Sequence, residues 1–436
     1  MQRLTLVQPE ERLVTLLSFL MAFLLMAAYL VLRPVRDAMA SDWSDAELSL
    51  LWNLQLLLST GLVALYSLAV SRWSLRRIVP GVYTLFSLSF LGFWQVSPLV
   101  ADARLLEQAF YLWVAAFSLF NLSVFWSFMS HTFDAEQGRR LFAIIASGAS
   151  AGAIVGPAIP ALFASALGLD RLMLIAALGV LLVVPLILWL QRLGAGCPAD
   201  SGPQQEAGAP QVNLNWWSGF RDVVSNPYLR AIGLFILLYV FVGSFVYFIQ
   251  KNLLAEFSRV ERTQILSSVS WLVNTATFAC ALLVTGRLVS HAGMVLTLAC
   301  VPLVLVVGMA AIALAPLVVV LLVVDSLRRV GNYAITRPAR EMLFSRVTAD
   351  QRFKAKQVLD VAVYRGGDAA SGSIFAMLSE GLGLALPAMA LVGSGVAGLW
   401  SLVAVYLGRQ YRQDHELPRE TPDLQDHQAA AVAAHT

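Results

Sequence analysis

Long apolar runs separated by short polar segments dominate this chain of 436 residues. About 20 consecutive apolar residues are enough for a helix to cross the hydrocarbon core of a bilayer. The sequence contains twelve such runs, at residues 13–32, 48–70, 78–96, 106–128, 141–164, 172–190, 229–249, 265–284, 293–314, 317–336, 356–378 and 387–407. Backbone groups in lipid must be satisfied within the chain. The pattern therefore predicts an all-α membrane protein with twelve transmembrane helices.

A polar segment in the middle of the chain separates six runs from the other six. It is rich in glycine and proline, which is typical of a flexible linker. Near its end Trp216, Trp217, Phe220, Val223 and Val224 fall on one helical side, as in a helix that lies in the membrane surface. We predict four parts: an N-terminal six-helix half at 1–190, a cytoplasmic linker with this interfacial helix at 191–227, a C-terminal six-helix half at 228–408 and a disordered cytoplasmic tail at 409–436.

The composition agrees with a membrane protein, since 58% of the residues are hydrophobic and 13% are charged. A soluble domain has about half apolar and about a quarter charged residues. Most of the Lys and Arg residues fall in alternate loops, so the positive-inside rule predicts cytoplasmic termini, and we expect a bacterial inner membrane. The three cysteines have no metal-site spacing and no catalytic motif is present. We therefore expect no metal, no cofactor and no enzyme activity.

One glycine pattern predicts a helix contact. Gly148, Gly152 and Gly156 recur every four residues and form a flat strip on one helix face. Close packing against a neighbouring helix explains the strip, and a sliding surface in a gated transporter is the alternative.

Charges interrupt the apolar sequence between residues 325 and 368. They are Asp325, Arg328, Arg329, Asp360, Arg365 and Asp368. A charge at the centre of a spanning helix costs about 2.5–3.5 kcal/mol on insertion scales. At 1.5 Å per residue, Asp325 and Arg365 lie roughly 12–14 Å into their helices, near the middle of a ~30 Å core. We expect these side chains to face a polar cavity or one another.

The end of the first run, with Arg33, Arg36 and Asp37, is charged as well. The spacings allow ion pairs within each helix, so one interpretation is a set of internal pairs that stabilise packing or gate the protein. The other is a substrate site between the halves, where arginine would hold a phosphate or carboxylate bidentately. Arginines outnumber acids slightly, which favours an anionic small molecule. We predict substrate binding by Arg36, Arg328, Arg329, Arg365, Asn332 and Tyr364, and proton coupling or gating by Asp37, Asp325, Asp360 and Asp368.

Three segments carry a resemblance to a known family. They are YLVLRPVRD at 29–37, FWSF with AEQGRRLF at 125–142, and the segment 333–368 with its Arg340-Glu341-Met342 step, Lys354, Lys356, Asp360, Arg365 and Gly367. Together they resemble the ATP:ADP antiporters of plastids and obligate intracellular bacteria, a branch of the major facilitator superfamily. Two positions depart from that pattern: Asp368 stands where the family usually has Lys, and no acid occurs between Tyr247 and Lys251.

The resemblance implies a 6+6 helical bundle and a secondary transporter that works by alternating access, exchanging nucleotides or another anionic metabolite. Proton-coupled transport of a non-nucleotide solute is the second hypothesis. A structural or sensory membrane protein derived from a carrier is the third. We expect a monomer in the lipid bilayer that binds a small anion and no nucleic acid polymer.

Overall fold

The computed structural model describes residues 7–100, 103–193, 216–283 and 285–416, and within these residues the chain is helical without strands. The α-helices are α1 (Arg12–Ala40), α2 (Asp45–Arg72), α3 (Leu75–Val96), α4 (Arg104–Thr132), α5 (Ala135–Arg192), α6 (Trp216–Ser225), α7 (Pro227–Leu254), α8 (Arg259–Leu283), α9 (Thr285–Leu314), α10 (Val318–Gly331), α11 (Arg337–Leu343), α12 (Ala349–Gln357), α13 (Tyr364–Ala376) and α14 (Leu386–Glu416).

Nine of the twelve predicted spans fall in long apolar helices, and the other three fall in helices that are shorter or more polar. Eight of the described helices are long and apolar enough to cross a membrane, and the 58-residue α5 holds two of the predicted runs. Gly168 separates those two runs with φ 72°, a left-handed conformation that glycine adopts without steric cost, and Gly293 divides α9 in the same way. The remaining three predicted spans are α8, the α10–α11 segment and the α12–α13 segment.

The α10–α11 and α12–α13 segments are the two spans that carry the unusual charges. Each is interrupted by a π-helical turn, Asn332–Thr336 in the first and Val358–Val363 in the second. A third π-helical turn, Met377–Gly381, follows α13. Single π turns inside α-helices often occur at functional sites, because the extra residue redirects the side chains that follow.

The predicted glycine strip packs α5 against α1 within the N-terminal half. A Cβ atom at Gly148 would lie 2.3 Å from the carbonyl oxygen of Phe19, and one at Gly152 would lie 2.3 Å from that of Phe23. Gly156 meets Ala27 in the same way, at 2.7 Å. Because the backbones approach this closely, the packing interpretation is confirmed, and the strip is no sliding surface between the halves.

The two halves of the bundle contact each other mainly along three pairs of helices, α2 with α13, α5 with α8 and α1 with α8. Between α2 and α13, the side chains of Ser49 and Asn53 hydrogen-bond to Ser373 at 3.2 and 3.0 Å. Between α5 and α8, the Asn274 amide donates to the carbonyl oxygen of Ala153 at 2.7 Å. The space that these contacts leave between the halves contains the charged residues.

Candidate functional site

A cavity of about 290 Å³ lies between the two halves. The described residues that line it come from α1, α2, α4, α7, α10 and α13: Tyr29, Arg33, Arg36, Trp52, Gln55, Leu56, Tyr111, Ser118, Tyr239, Val240, Gly243, Ser244, Tyr247, Arg328, Tyr364, Arg365 and Asp368. This lining contains four arginines and one carboxylate, together with six aromatic rings. The cavity wall is therefore cationic and aromatic at once.

The N-terminal half contributes a cluster at the end of α1. Asp37 accepts two hydrogen bonds from Arg36, at 2.9 Å from Nε and 2.7 Å from Nη2, and Arg33 lies 3.6 Å away. Tyr247 of the other half donates to the same carboxylate at 3.1 Å, while the Arg36 guanidinium lies 4.7 Å from the ring centroid of Tyr111. One carboxylate thus balances two guanidinium groups, and the cluster keeps a positive charge.

The C-terminal half repeats this arrangement on α10. Asp325 is buried and accepts from Arg328 at 2.6 Å, while Arg329 lies 3.7 Å from its second oxygen. Arg329 also makes two long contacts of 3.4 Å to the hydroxyl of Ser270 on α8. A Cβ atom at Gly243 would come within 3.0 Å of the Arg328 guanidinium, so glycine makes room for that group. One carboxylate thus again balances two guanidinium groups.

The third set of charges begins α13, directly after a π-helical turn. Arg365 and Asp368 both line the cavity but form no ion pair within 4 Å, and among the described residues neither side chain has a hydrogen-bond partner. Beside them the ring of Tyr364 packs edge-on against Tyr239, with centroids 6.0 Å apart. These two charges are therefore free to meet a ligand.

Polar pairs join the halves at one end of the cavity, and one of these pairs, Asp45 with Lys251, is buried. We call Asp42, Asp45, Lys251, Arg259, Arg262 and Glu380 the closed-end network. The Lys251 ammonium lies 2.6 Å from Asp45 and donates to the carbonyl oxygen of Trp43 at 2.8 Å. Glu380 accepts from the backbone amide of Asp45 at 2.6 Å, at the start of α2. An acid in the first turn of a helix is favoured by the helix dipole, so both halves are held at this point.

The outer layer of the closed-end network centres on Asp42, in the turn between α1 and α2. Its two carboxylate oxygens accept from Arg262 and Arg259 of α8. Arg259 also binds Glu107 of α4, at 2.6 Å. Partial burial raises the pKa of Asp42, but the hydrogen bonds from Arg262 and Arg259 outweigh that effect and lower it. Asp42 therefore stays ionised in this network.

Between described residues, the hydrogen bonds that join the halves run from the closed-end network down to the contact between Asn274 and Ala153. The closed-end network therefore joins the halves at the end of the α1–α2 turn.

The structure brings most of the predicted site residues together and separates a few. Arg36, Arg328, Arg365, Tyr364 and Asp368 line the main cavity. A second set, Asp37, Asp325 and Arg329, lines a smaller cavity behind it. Asn332 is buried at the start of a π-helical turn and lines neither cavity. The side chain of Asp360 lies outside the described residues.

Sequence reasoning missed two groups of residues. Trp52 and Tyr111 form part of the cavity wall, where the indole of Trp52 donates to the hydroxyl of Tyr111 at 2.9 Å. It also missed the pairing of Asp45 with Lys251 across 206 residues. A usable signal existed for the second group, since acids follow the first span and Lys251 and Arg259 follow the seventh, at the same predicted membrane surface.

Comparison with known proteins identifies the fold family. A solved bacterial homologue of the human lysosomal transporter Spinster, in an inward-facing and unoccupied conformation, is 14% identical, with 95% of this chain and 100% of that chain covered and a TM-score of 0.61. The nucleoside transporter NupG is 14% identical, with 92% and 99% covered and a TM-score of 0.63. A D-xylose–proton symporter is also 14% identical, with 91% and 97% covered and a TM-score of 0.58. At these identities the likeness shows the fold alone.

No curated protein matches the chain in sequence. The sequence profile of the Major Facilitator Superfamily, in contrast, matches residues 14–351, which is most of the chain. The chain belongs to the Major Facilitator Superfamily, and it is a membrane transporter rather than an enzyme.

Proposed function

We propose that this protein moves a small organic anion across the membrane by alternating access. The observation that carries the proposal is the main cavity, whose described lining has four guanidinium groups against one carboxylate. Guanidinium groups bind carboxylates and phosphates through two parallel hydrogen bonds. Transporters of this architecture hold their substrates between the two halves, near the bilayer midplane. A positively charged cavity in that position favours an anion.

The arrangement of the charges supports a substrate that contacts both halves. Arg33 and Arg36 come from the N-terminal half, and Arg328 and Arg365 come from the C-terminal half. Among them, Arg365 has no partner within the described residues, and the contact of Arg33 to Asp37 is long, at 3.6 Å. These two side chains therefore have the most hydrogen-bonding capacity left for a ligand.

The cavity also limits the size and shape of the substrate. Its volume of about 290 Å³ is at the lower end of the ~300–1,000 Å³ range of small-molecule sites. Its aromatic walls favour a ligand with a flat or apolar part, because rings pack against such surfaces. Exchange of nucleotides, as the family resemblance implies, is one specific form of this function, and the six rings are the observation that favours it.

The orientation follows from the charges in the loops. With the termini in the cytoplasm of a bacterial inner membrane, as the positive-inside rule predicts, the closed-end network faces outward. The described conformation is then inward-facing. In the transport cycle the network would have to open while the other end closes. The division into halves at 1–190 and 228–408, with a surface helix in the linker, is part of this proposal.

Uptake into proteoliposomes tests the proposal directly. Vesicles that contain the purified protein are loaded with one member of a panel of organic anions and nucleotides, and labelled compound is added outside. We expect saturable uptake of at least one anion, and a loss of about 10-fold or more in apparent affinity for Arg365→Gln, because a charge-assisted hydrogen bond contributes about 1.5–3 kcal/mol. The matched control is Arg104→Gln, which removes an exposed arginine outside the cavity. Uptake of neutral or cationic compounds only would refute the anion assignment.

Proton coupling is the second candidate function, and Asp368 is the observation that favours it. This carboxylate lines the cavity without a hydrogen-bond partner among the described residues. Such a group can exchange a proton with the cavity as the protein alternates between its two states. We expect a pH gradient to drive accumulation of substrate, and Asp368→Asn to abolish that accumulation while counterflow of substrate continues. Flux that ignores the gradient would exclude coupling at this residue.

The third hypothesis, a protein without transport activity, predicts charges that satisfy one another in a sealed interior. The cavity weighs against it, since Arg365 and Asp368 line open space without forming an ion pair. Absence of flux for every anion in the panel, by a protein that remains folded in the vesicles, would restore that hypothesis.

A further inference from the structure

A second cavity, which the transport proposal does not use, lies behind the first at the seam between the halves. Its volume is about 40 Å³, and its described lining comes from α1 of one half and from α7, α8 and α10 of the other. One water molecule occupies about 30 Å³ in the liquid. This cavity can therefore hold one or two particles of that size, such as a small inorganic ion, and it is too small for an organic metabolite.

The hydrogen-bond donors around this second cavity exceed the acceptors. Arg329 has five N–H donors, yet its contacts are two of 3.4 Å to Ser270 and one of 3.7 Å to Asp325. Its side chain is only 11% exposed, so bulk water does not make up the difference. Arg33 has one contact of 3.6 Å to Asp37, but its side chain is 32% exposed, so water can reach its other donors.

Each carboxylate of the cavity has one oxygen in short hydrogen bonds and one without. Oδ1 of Asp37 accepts from Arg36 at 2.7 Å and from Tyr247 at 3.1 Å, and Oδ1 of Asp325 accepts from Arg328 at 2.6 Å. The Oδ2 atoms have only the long contacts to Arg33 and Arg329. Two oxygens cannot use all the N–H donors of two guanidinium groups, so donor capacity remains in excess.

Gln250 provides an independent indication. Its side chain is 7% exposed and lines the second cavity, and its amide nitrogen has no hydrogen-bond partner among the described residues. Buried donors without a partner are rare in native proteins, and each one calls for an explanation such as a bound water or ion. An acceptor inside the cavity would lie beside this side chain and would accept from Arg329.

The charge balance decides which ligand fits. Three arginines, Arg33, Arg328 and Arg329, face two carboxylates, so the lining carries one positive charge in excess. Arg36, which binds Asp37 from outside this lining, adds a further positive charge. A cation would meet guanidinium groups on several sides, whereas an anion would reduce the excess charge. We propose that the second cavity binds a small monovalent inorganic anion of about the size of chloride.

Such an anion would act on both the seam and the main cavity. Arg33 belongs to the N-terminal half and Arg329 to the C-terminal half, so an anion between them holds the halves together in this conformation. Arg33 and Arg328 also line the main cavity, and an anion behind them fixes their positions toward the substrate. The proposal does not depend on the identity of the substrate, because Gln250, Ser270 and Arg329 line only the second cavity.

Thermal unfolding of the purified full-length protein in detergent tests the site. The protein is titrated with sodium chloride against sodium gluconate at constant ionic strength. We expect a saturable rise in melting temperature with chloride and with bromide, and none with the larger gluconate or with divalent sulfate, because a ligand that prefers the folded state stabilises it. Equal melting curves in chloride and gluconate would mean that water fills the cavity, and would overturn the proposal.

Single substitutions test whether the chloride effect arises at the second cavity. We expect Gln250→Leu and Ser270→Ala each to weaken the apparent chloride affinity about 3-fold to 10-fold, and Arg329→Gln to weaken it more. The control Arg104→Gln removes an exposed arginine and should leave the affinity unchanged. Arg365→Gln lies in the main cavity only, so loss of the chloride effect in this variant would place the anion there and contradict the proposal. If Arg329→Gln does not fold, the proposal is tested by Gln250→Leu, by Ser270→Ala and by the position of bromide in a difference map.

Discussion

The closed-end network and the main cavity use the same residue types in opposite ways. At the closed end, acids of the N-terminal half pair with bases of the C-terminal half, as Asp45 does with Lys251. In the wall of the main cavity, two arginines pair with acids of their own helix that lie behind the wall, Arg36 with Asp37 and Arg328 with Asp325. The first kind of pair has to break when the halves move apart. The second kind remains intact during the same motion.

This difference separates gating from binding. Pairs between the halves contribute free energy to one conformation of the carrier only, so they set the balance between its two states. Pairs within one helix stabilise both conformations equally and leave the surplus guanidinium groups available in each. In the proposed transport cycle, a substrate binds to the same arginines from either side of the membrane, as alternating access requires.

The largest effect is expected from breaking the buried pair of the closed-end network. Asp45→Asn leaves the buried Lys251 without its counter-ion, and loss of one partner of a buried pair costs roughly 3–5 kcal/mol. Because every 1.4 kcal/mol is a factor of ten, the open population should rise about 100-fold or more. The measurement is the rate at which a membrane-impermeant thiol reagent, added on the closed-end side, labels Ser244→Cys in a protein whose native cysteines are replaced by serine.

The double variant Asp45→Leu with Lys251→Met is the control for this experiment. It removes both charges and should label far more slowly than Asp45→Asn, because no unpaired charge stays buried. Labelling of Asp45→Asn at the wild-type rate would show that this pair does not hold the gate.

A contact within one half should change stability without opening the gate. In Gly152→Ala the new Cβ would lie 2.3 Å from the carbonyl oxygen of Phe23, so α1 and α5 must move apart. Overpacking of this kind costs about 1–3 kcal/mol. We expect a lower melting temperature and an unchanged labelling rate, whereas Gly61→Ala, which meets open space, should change neither. Faster labelling of the Gly152 variant would show that a contact within one half also controls the gate, which contradicts the account.

The pH dependence of the gate follows from Asp42. Its pKa is lowered in the closed conformation by Arg262 and Arg259, so the closed state is favoured above the ordinary carboxyl pKa of about 3.9 and loses this advantage as the pH falls through the lowered value. Labelling of Ser244→Cys, corrected for the pH dependence of thiol reactivity with a free cysteine, should stay constant from pH 8 to about pH 5. Asp42→Asn should raise the rate throughout that range, and a rate that rises steeply between pH 7 and pH 6 would point to a different titrating group.

The smallest effect is expected at the exposed edge of the closed end. Arg104 pairs with Glu47 at 2.5 Å, with side chains that are 51% and 35% exposed. Exposed pairs contribute about 0.2–1 kcal/mol. Arg104→Gln should therefore change the labelling rate by less than about 5-fold. This pair also joins two helices of the same half, so a change as large as that of Asp45→Asn would contradict the assignment of the gate to contacts between the halves.

The helical fold could be predicted because hydrophobic length is a local property of the sequence. Twelve apolar runs of sufficient length predict twelve spans. Three of these spans, α8 and the two segments with π-helical turns, do not meet simple criteria of helix length and hydropathy in the structure. The charged residues of the site could be predicted for a related reason, since Arg328 or Asp368 in an apolar run needs a polar environment.

The rest of the site depends on distant parts of the chain. Trp52 and Tyr111 look the same in sequence whether they face lipid or a cavity, and only the packing of α2 against α4 and α7 decides this. The contacts of Lys251 to Asp45 join residues 206 positions apart. Asn332 was predicted from its position one turn beyond Arg328, but at the start of a π-helical turn it lies outside both cavities. Its role in binding stays a prediction.

The most direct test of the account is ligand-induced thermal stabilisation across matched metabolites. Each organic anion is compared with its neutral amide or alcohol analogue on the wild-type protein, on Arg365→Gln and on Arg104→Gln. The account predicts that some anions raise the melting temperature, that their neutral analogues do not, and that Arg365→Gln alone removes the effect. Equal stabilisation by neutral analogues, or by the same anions in the Arg365 variant, would contradict the claim that the cavity arginines hold an anion between the two halves.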